Sequence, residues 1–251
     1  MAIDLLTFKT LLRLSGEGRL TGDALVLGRQ NFLTAGSGDK RMQRQLPIYQ
    51  QMLVEAGFDI ALDKIIDPDG FCDSFFRILG FNRIDYMDVS GYEGANVIHD
   101  LNKPLPARLI GRYDFIFDGG TTEHVFDVPQ AFENYDLALR TGGSLLAVNP
   151  ANNWPGHGFY QFGPEVVWSY WRDVKNYKVH QCTINAMRDW YSRKQIVIAP
   201  PEARAMQRDH KLRSQLGDGI QLLVYLVEKS KETVRRSSAQ QSDYRAEWQR
   251  G

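Results

Sequence analysis

Cysteine is scarce: among 251 residues only Cys72 and Cys182 carry a thiol. They lie far apart, which argues against a metal-binding cysteine cluster or a disulfide scaffold. A reducing, cytoplasmic setting suits this usage. A surplus of charge is also missing, with Lys plus Arg at 30 and Asp plus Glu at 30. That balance gives no electrostatic case for nucleic acid or an anionic membrane. No uncharged run approaches the length of a membrane span. The start, MAIDLLTFKTLLRL, sets apolar residues at helical spacing with Asp4, Lys9 and Arg13 interleaved. No small-residue cleavage site follows, so the stretch reads as a helix and not as a secretion signal. Internal repeats and low-complexity stretches are absent as well. What is present is 43% apolar content, enough for a core, in a chain whose length fits one large domain.

Along the chain the first helix is expected to end near Ser15-Gly16-Glu17-Gly18. DALVLG (23–28) reads as a buried strand ending at Gly28. From Lys40 to Gly57 the pattern is helical, with Leu46, Tyr49, Met52 and Leu53 on the inner face. DIALDKIIDPDG holds either a short strand or a loop, and FCDSFFRILG (71–80) a compact helix. Strands follow at RIDYMDVS (83–90), NVIHDL (96–101), YDFIFD (113–118) and SLLAVNP (144–150). The helix VPQAFENYDLALRTGG, closed by Gly142-Gly143, precedes the last of these. YKVHQCTIN (177–185) and GIQLLVYLVEK (219–229) are further strands. Strands alternating with helices predict an α/β fold with a mostly parallel sheet and helices on both faces. The organisation expected is one domain over 1–229, with 32–70 an insertion or lid-like segment and 230–251 a polar tail.

In an open parallel sheet, ligands bind beyond the carboxyl ends of the strands. Here those ends carry Gly28, Asp88, Asp100, Asp118 and Asn149. YDFIFDGGTTEHVFD (113–127) is the densest case. An apolar strand stops at Asp118, passes Gly119-Gly120 and leads to Glu123-His124. Taken singly, each Asp reads equally as a turn former or helix cap; the ordered set points to a ligand cleft.

The order and spacing resemble class I S-adenosylmethionine-dependent methyltransferases over roughly 23–150, most strongly over 83–150. GRYDFIFDGGTTEHVFDVPQAFENYDLALRTGGSLLAV looks like that family's fourth strand, its Glu-His segment, the next helix and the Gly-Gly turn into the fifth strand. The resemblance implies a Rossmann-like fold and S-adenosyl-L-methionine as cofactor. It implies that Asp88 holds the cofactor ribose, a role that suits a carboxylate because it accepts hydrogen bonds from two vicinal hydroxyls. It implies Asp100 near the adenine amine, Leu101 against the ring, and Asp118 and Gly119 near the methionine moiety or substrate. Glu123 and His124 match a pair found in small-molecule members. The first loop departs from the family. LVLGRQNF has Gly28 as its only glycine, Val26 in the place of the acid, and Arg29-Gln30 after it. The stretch from Gly28 to Asp88 is also about 40 residues longer than a usual ~20-residue crossover. Two substitutes are open there: Gln30 replacing a backbone or water contact, and Arg29 pairing with the cofactor carboxylate. The third alternative is a site that binds the cofactor poorly or binds something else.

A Gly-x-Gly-x-x-Gly dehydrogenase fingerprint is missing. The Asn/Asp-Pro-Pro-aromatic motif of base-modifying enzymes is missing after the fourth strand. NPANNWPGHGFYQFGPEVVWSYW (149–171) is rich in aromatics. Its first half reads as a loop, which in the class I fold lies over the substrate. His157, between two glycines, is a candidate general base, since imidazole titrates near neutral pH; His124 is the second candidate. Each reads alternatively as a structural residue, His157 in a capping turn and His124 at the start of a helix. Trp168, Tyr170 and Trp171 are expected in helix core, with Tyr160 and Phe162 as substrate wall. His99, His180 and His210 do not cluster and no His-Glu-x-x-His motif exists, so no metal site is expected. A magnesium ion at Asp118 stays open because some sugar methyltransferases use one. These residues predict O-methylation of a small hydroxylated molecule, a sugar or glycan precursor among them, with no nucleic-acid or membrane partner. The alternative is a methyltransferase-like binding or scaffold protein without catalysis.

Overall fold

The computed structural model describes residues 2–32, 44–188, 191–201, 215–230, 239–242 and 248, the side chains of 188 and 191–193 apart. The start of the helix expected from Lys40, His210 and most of the polar tail lie outside the described residues.

Strand β1 (Ala2–Ile3) leads into helix α1 (Leu5–Gly16). The Asp4 side chain caps that helix by accepting from the Thr7 amide at 2.8 Å, satisfying one of the donors a helix start leaves open. Leu5, Leu6, Phe8, Leu11, Leu12 and Leu14 form its buried face. Strand β2 (Asp23–Leu27) follows, then β3 (Asn31–Phe32), which pairs in parallel with β1. Helices α2 (Leu46–Glu55) and α3 (Asp73–Ile78) come next, with Tyr49 and Leu53 buried in α2. Leu46 and Met52, expected on the same inner face, are only partly buried. DIALDKIIDPDG forms a single 3-10 turn at Leu62–Lys64 and no strand.

Five parallel strands then assemble. They are β2, β4 (Arg83–Asp88), β5 (Val97–Ile98), β6 (Tyr113–Asp118) and β7 (Leu139–Asn152). Helix α4 (Val128–Ala138) connects β6 to β7, capped by Asp127, whose side chain accepts from the Gln130 amide. β8 (Lys178–Arg188), β9 (Tyr191–Val197) and β10 (Gln221–Glu228) complete one sheet in the order β5-β4-β2-β6-β7-β10-β8-β9. β10 inserts antiparallel between β7 and β8, and β9 pairs antiparallel with β8. The sheet is therefore mixed, parallel in one half and antiparallel in the other, where a mostly parallel sheet was expected. Helix α4 also stops earlier than expected, at Ala138, and β7 begins at once. The Gly142 amide then donates to the Lys229 carbonyl at 2.7 Å, locking this start of β7 beside the end of β10.

Both faces of the sheet are covered. Alternate residues of each strand enter opposite cores, as the two-residue side-chain period requires. Leu25, Leu27, Met87, Ile116, Leu145 and Tyr225 pack with α4 and the π-helical segment Val166–Arg172. Ala24, Val26, Tyr86, Phe115, Phe117 and Val224 pack with α1, α2 and α3. In the parallel half the chain runs outward from β2 through β4 to β5, then crosses to β6 on the other side. That Rossmann-like order creates a switch point between β2 and β6, where the loops leaving the two strands part and open a crevice.

Candidate active site

The crevice is narrow at its floor. The Thr121 hydroxyl donates to the Leu27 carbonyl at 3.1 Å, tying the loop after β6 to the end of β2. Gly28 turns the chain out of β2 with φ +65°, a conformation that suits glycine, and its amide donates to Met87 on β4 at 2.7 Å. Gln30 folds back beneath this turn. It is fully buried, and its amide nitrogen donates to the Leu27 and Gly28 carbonyls at 3.0 and 3.1 Å. Its Oε1 has no hydrogen-bond partner among the described residues. A buried acceptor left in this state is unfavourable unless a ligand supplies the donor. Gly119 lies opposite. A Cβ there would stand 2.9 Å from Gln30 Oε1 and 2.7 Å from the Phe117 ring, so only glycine fits.

Beyond the floor opens a cavity of about 460 Å³. Its wall brings together Asp88, Asp100, Leu101 and His124, with His99, Tyr92, Asn102 and Thr121 beside them. Asp88 stands at the tip of β4 and accepts one long hydrogen bond, from the Ser90 amide at 3.3 Å. Asp100 is more engaged. Its Oδ1 accepts from the Asn102 amide and side chain at 3.0 and 2.9 Å, and these bonds hold the carboxyl below its ordinary range. A larger cavity, about 590 Å³, lies between α1, α2 and the β8–β9 pair. It contains none of the strand-end residues, and size alone does not make it the reaction site.

Two expected contacts are arranged otherwise. Arg29 does not face the crevice floor free. Its guanidinium grips Asp73 through Nε and Nη2 at 3.0 and 2.8 Å, pairs with Asp69 at 2.8 Å, and lies 4.1 Å over the Phe71 ring. The side chain thus anchors the segment leading into α3. Asp118, expected on the cleft rim, is fully buried. Its Oδ1 accepts from the amides of Gly120, Thr121 and Thr122 at 3.2, 2.8 and 3.4 Å. Its Oδ2 accepts from the Thr122 hydroxyl and from Asn149 Nδ2, the latter at 2.9 Å. The turn curls back over the carboxylate, which organises the loop from beneath.

That loop delivers Glu123 and His124. Glu123 is 1% exposed, and its Oε2 accepts from Asn149 Nδ2 at 3.2 Å. Its Oε1 lies 3.5 Å from His157 Nε2. Burial, then the charge of Asp118, pushes the Glu123 carboxyl up to about 8. Burial, then the neighbouring His124, pushes His157 down. Both shifts disfavour charge, so near neutral pH the contact is one between neutral groups. His157 is oriented by Trp154, whose ring stacks on it at 3.8 Å and 9°. His124 meets it edge-on at 4.9 Å and is exposed.

The aromatic segment departs from its expected roles at Phe162. Trp168 and Trp171 are core, and Tyr170 packs against it. Phe162, expected in the substrate wall, is buried against Phe132. Phe159 and Phe126 are exposed instead and pack edge-on at 5.6 Å, with the Tyr160 hydroxyl donating to the Phe126 carbonyl. Trp154 and Asn149 orient the acid and imidazole, a function no local motif announces.

No family model matches the chain, and no curated protein matches it. Distant likeness to solved methyltransferase structures exists. An S-adenosylmethionine-dependent methyltransferase from Mesorhizobium loti is 15% identical, over 62% of this chain and 84% of that one, with a TM-score of 0.38. The Burkholderia thailandensis 1,6-didemethyltoxoflavin-N1-methyltransferase, solved with its substrate and S-adenosylhomocysteine, is 13% identical over 91% and 82%, at 0.43. The Haemonchus contortus phosphoethanolamine N-methyltransferase 2, solved with S-adenosyl-L-methionine, is 12% identical over 90% and 53%, at 0.43. These scores are low, and a functional reading stands on the strand order and site geometry of this chain alone.

Proposed function

We propose that this chain is an S-adenosylmethionine-dependent methyltransferase that methylates a hydroxyl of a small molecule. One observation carries the reading. A single crevice at the switch point holds a strand-tip acid, Asp88, over a ligand-sized cavity, with uncharged Glu123 and His157 beside His124 at its edge. The crevice fits the cofactor. The unsatisfied Gln30 Oε1, beside Gly119 and the positive-φ turn at Gly28, offers an acceptor to the ammonium of its amino-acid half. Asp88 would hold the ribose hydroxyls, with Asp100 and Leu101 at the base. Arg29 is assigned to loop anchoring, not to the carboxylate. When bound, S-adenosylmethionine supplies an electrophilic methyl group on a sulfonium sulfur.

The rest of the work falls to the chain. Alignment of the acceptor oxygen supplies much of the acceleration in such a displacement. An imidazole, that of His157 or of His124, takes the hydroxyl proton. Trp154 and Glu123 fix the His157 ring, and the exposed Phe126, Phe159 and Tyr160 offer flat apolar surface for a ring-shaped acceptor. A sugar or glycan precursor fits that mixture of polar and aromatic groups. The balanced charge of the chain supports a small acceptor over nucleic acid, and no described helix is long and apolar enough to cross a membrane.

A second reading, a methyltransferase-like binding protein without catalysis, is favoured by one observation: the loop after β2 has Gly28 as its single glycine and spends Arg29 on Asp69 and Asp73. Calorimetric titration with the cofactor and its demethylated product separates the two. Binding, followed by transfer of labelled methyl to a panel of hydroxylated metabolites, supports the enzyme. Absence of binding for both compounds at millimolar concentration overturns it, and binding without transfer to any acceptor favours the second reading.

A further inference from the structure

We propose that Glu123, His124 and His157 form a binding site for one divalent transition-metal ion, Zn²⁺ in the first instance, at the acceptor end of the crevice. One ligand atom from each residue lies within 4.8 Å of the other two. The Glu123 Oε1 to His157 Nε2 separation is 3.5 Å. Two ligands on a tetrahedral zinc, with bonds of ~2.0–2.1 Å, stand about 3.3 Å apart, so this pair needs little movement. Two imidazole nitrogens and one carboxylate oxygen select a first-row transition ion over magnesium.

The surroundings are built around these ligands. Metal-binding side chains are normally held by outer partners that fix their orientation. Here Asn149 donates to the second oxygen of Glu123, and through the same nitrogen to Asp118, itself locked by loop amides. Trp154 stacks flat on His157. The loop carrying His157 is clamped to Glu123 by main-chain bonds, from the Phe159 and Tyr160 amides to the Glu123 carbonyl at 2.7 and 3.3 Å. Gly158 sits so close that a Cβ would stand 2.7 Å from that carbonyl oxygen. No lysine or arginine pairs with Glu123 among the described residues, so the buried acid lacks a cation. His124, exposed at the cavity wall, completes the trio on the side open to ligand.

Three protein ligands and an open fourth position are the arrangement of a catalytic ion. A hydroxyl oxygen on such an ion loses its proton to water near neutral pH and remains as the nucleophile. Only this use of the ion rests on the methyltransferase reading; its binding does not. With the ion present the imidazoles are ligands and the metal replaces them as activator of the hydroxyl.

The test uses tag-free, chelator-stripped protein titrated with zinc chloride by calorimetry, and with Co²⁺ by visible absorption. The expected result is one equivalent bound per chain, with an intense visible band for four-coordinate Co²⁺. Loss of His124 or His157 to Ala weakens binding at least tenfold or so, while His180→Ala, at the separate His180–Glu228 pair, leaves it unchanged. His124 is exposed, so His124→Ala keeps the test valid if Glu123→Gln fails to fold. No stoichiometric binding, or equal binding by His124→Ala and His157→Ala, overturns the site. Zinc binding in a protein that ignores the cofactor sustains the site and removes the methyltransferase reading. Methyl transfer by a protein that binds no zinc does the reverse.

Discussion

Glu123 Oε1 and His157 Nε2 face one another at 3.5 Å, and the contact is not an ion pair. Burial raises the acid and lowers the base, so the proton stays on the carboxyl. The two residues come from different loops, one after β6 and one after β7, and they meet only because both strands end at the same edge of the sheet.

A pH dependence of stability follows for the metal-free protein. In the folded state Glu123 keeps its proton up to about 8, while in the unfolded chain it ionises near its ordinary value of 4.5. The raised folded value means that its contribution is complete below pH 4.5 or so and is lost as pH climbs toward 8. The melting temperature of chelator-treated protein should therefore fall across that window. Glu123→Gln, which cannot ionise, should flatten the slope. Parallel slopes for the two proteins would remove Glu123 as the titrating group.

Asp88 is expected to act on the ligand and not on the fold. Among the described residues its carboxylate accepts a single hydrogen bond, the long one from the Ser90 amide. Asp88→Ala should weaken cofactor binding by roughly 1.5–3 kcal/mol, the range for hydrogen bonds to a charged group, with a small change in melting temperature. Asp88→Asn should lose less, because one acceptor remains. Calorimetry and thermal denaturation on the same preparation check both halves, and an unchanged dissociation constant takes Asp88 out of the site.

Asp118 should behave in the opposite way. It is buried and accepts from three loop amides, a hydroxyl and an Asn side chain. Asp118→Ala leaves those donors unsatisfied and should cost about 3–5 kcal/mol of stability. Loss of activity in this variant would follow from a displaced Glu123-His124 segment. Denaturant unfolding is the measurement, and a loss below about 1 kcal/mol would show that the loop holds its shape without the carboxylate.

The parallel half of the sheet was legible because β2, β6 and the centre of β7 are buried on both faces and read as apolar runs. Strand direction leaves no such trace. Nothing in GIQLLVYLVEK reveals that β10 slips antiparallel between β7 and β8. β9, YSRKQIV, has the polar residues of an edge and lacks the apolar run that marks a buried strand. The strand-tip positions of Asp88 and Asp118 were visible, with Asp100 two residues past β5, but not the burial of Asp118. That depends on how Gly-Gly-Thr-Thr curls over it. Glu123 and His157 share no sequence spacing, so their meeting was hidden; the Gly-His-Gly flank was the one local sign that the loop passes close to something. Phe162 and Phe159 are near in sequence and equally apolar. Only the packing of Phe132 decides which of them is core.

Arg29 carries the last prediction, because it separates an anchor from a ligand contact. Its guanidinium is only partly exposed, is held by two carboxylates and covers the Phe71 ring. Asp73 first, and Asp69 after it, push its already high pKa further up against the opposing effect of burial. The planar fork makes a two-point contact with Asp73 that an ammonium cannot reproduce. Arg29→Lys should therefore lower stability by about 1–2 kcal/mol, and Arg29→Ala by more, since it also leaves Asp73 with no cation. If Arg29 is an anchor, folded Arg29→Lys should bind the cofactor with near-normal affinity. If it contacts the cofactor carboxylate, affinity should fall at least tenfold while stability barely moves. Thermal denaturation and calorimetry of Arg29→Lys, run beside Asp73→Asn, decide the matter: an anchor predicts that both variants lose stability together, and a ligand contact predicts that only the arginine change weakens binding.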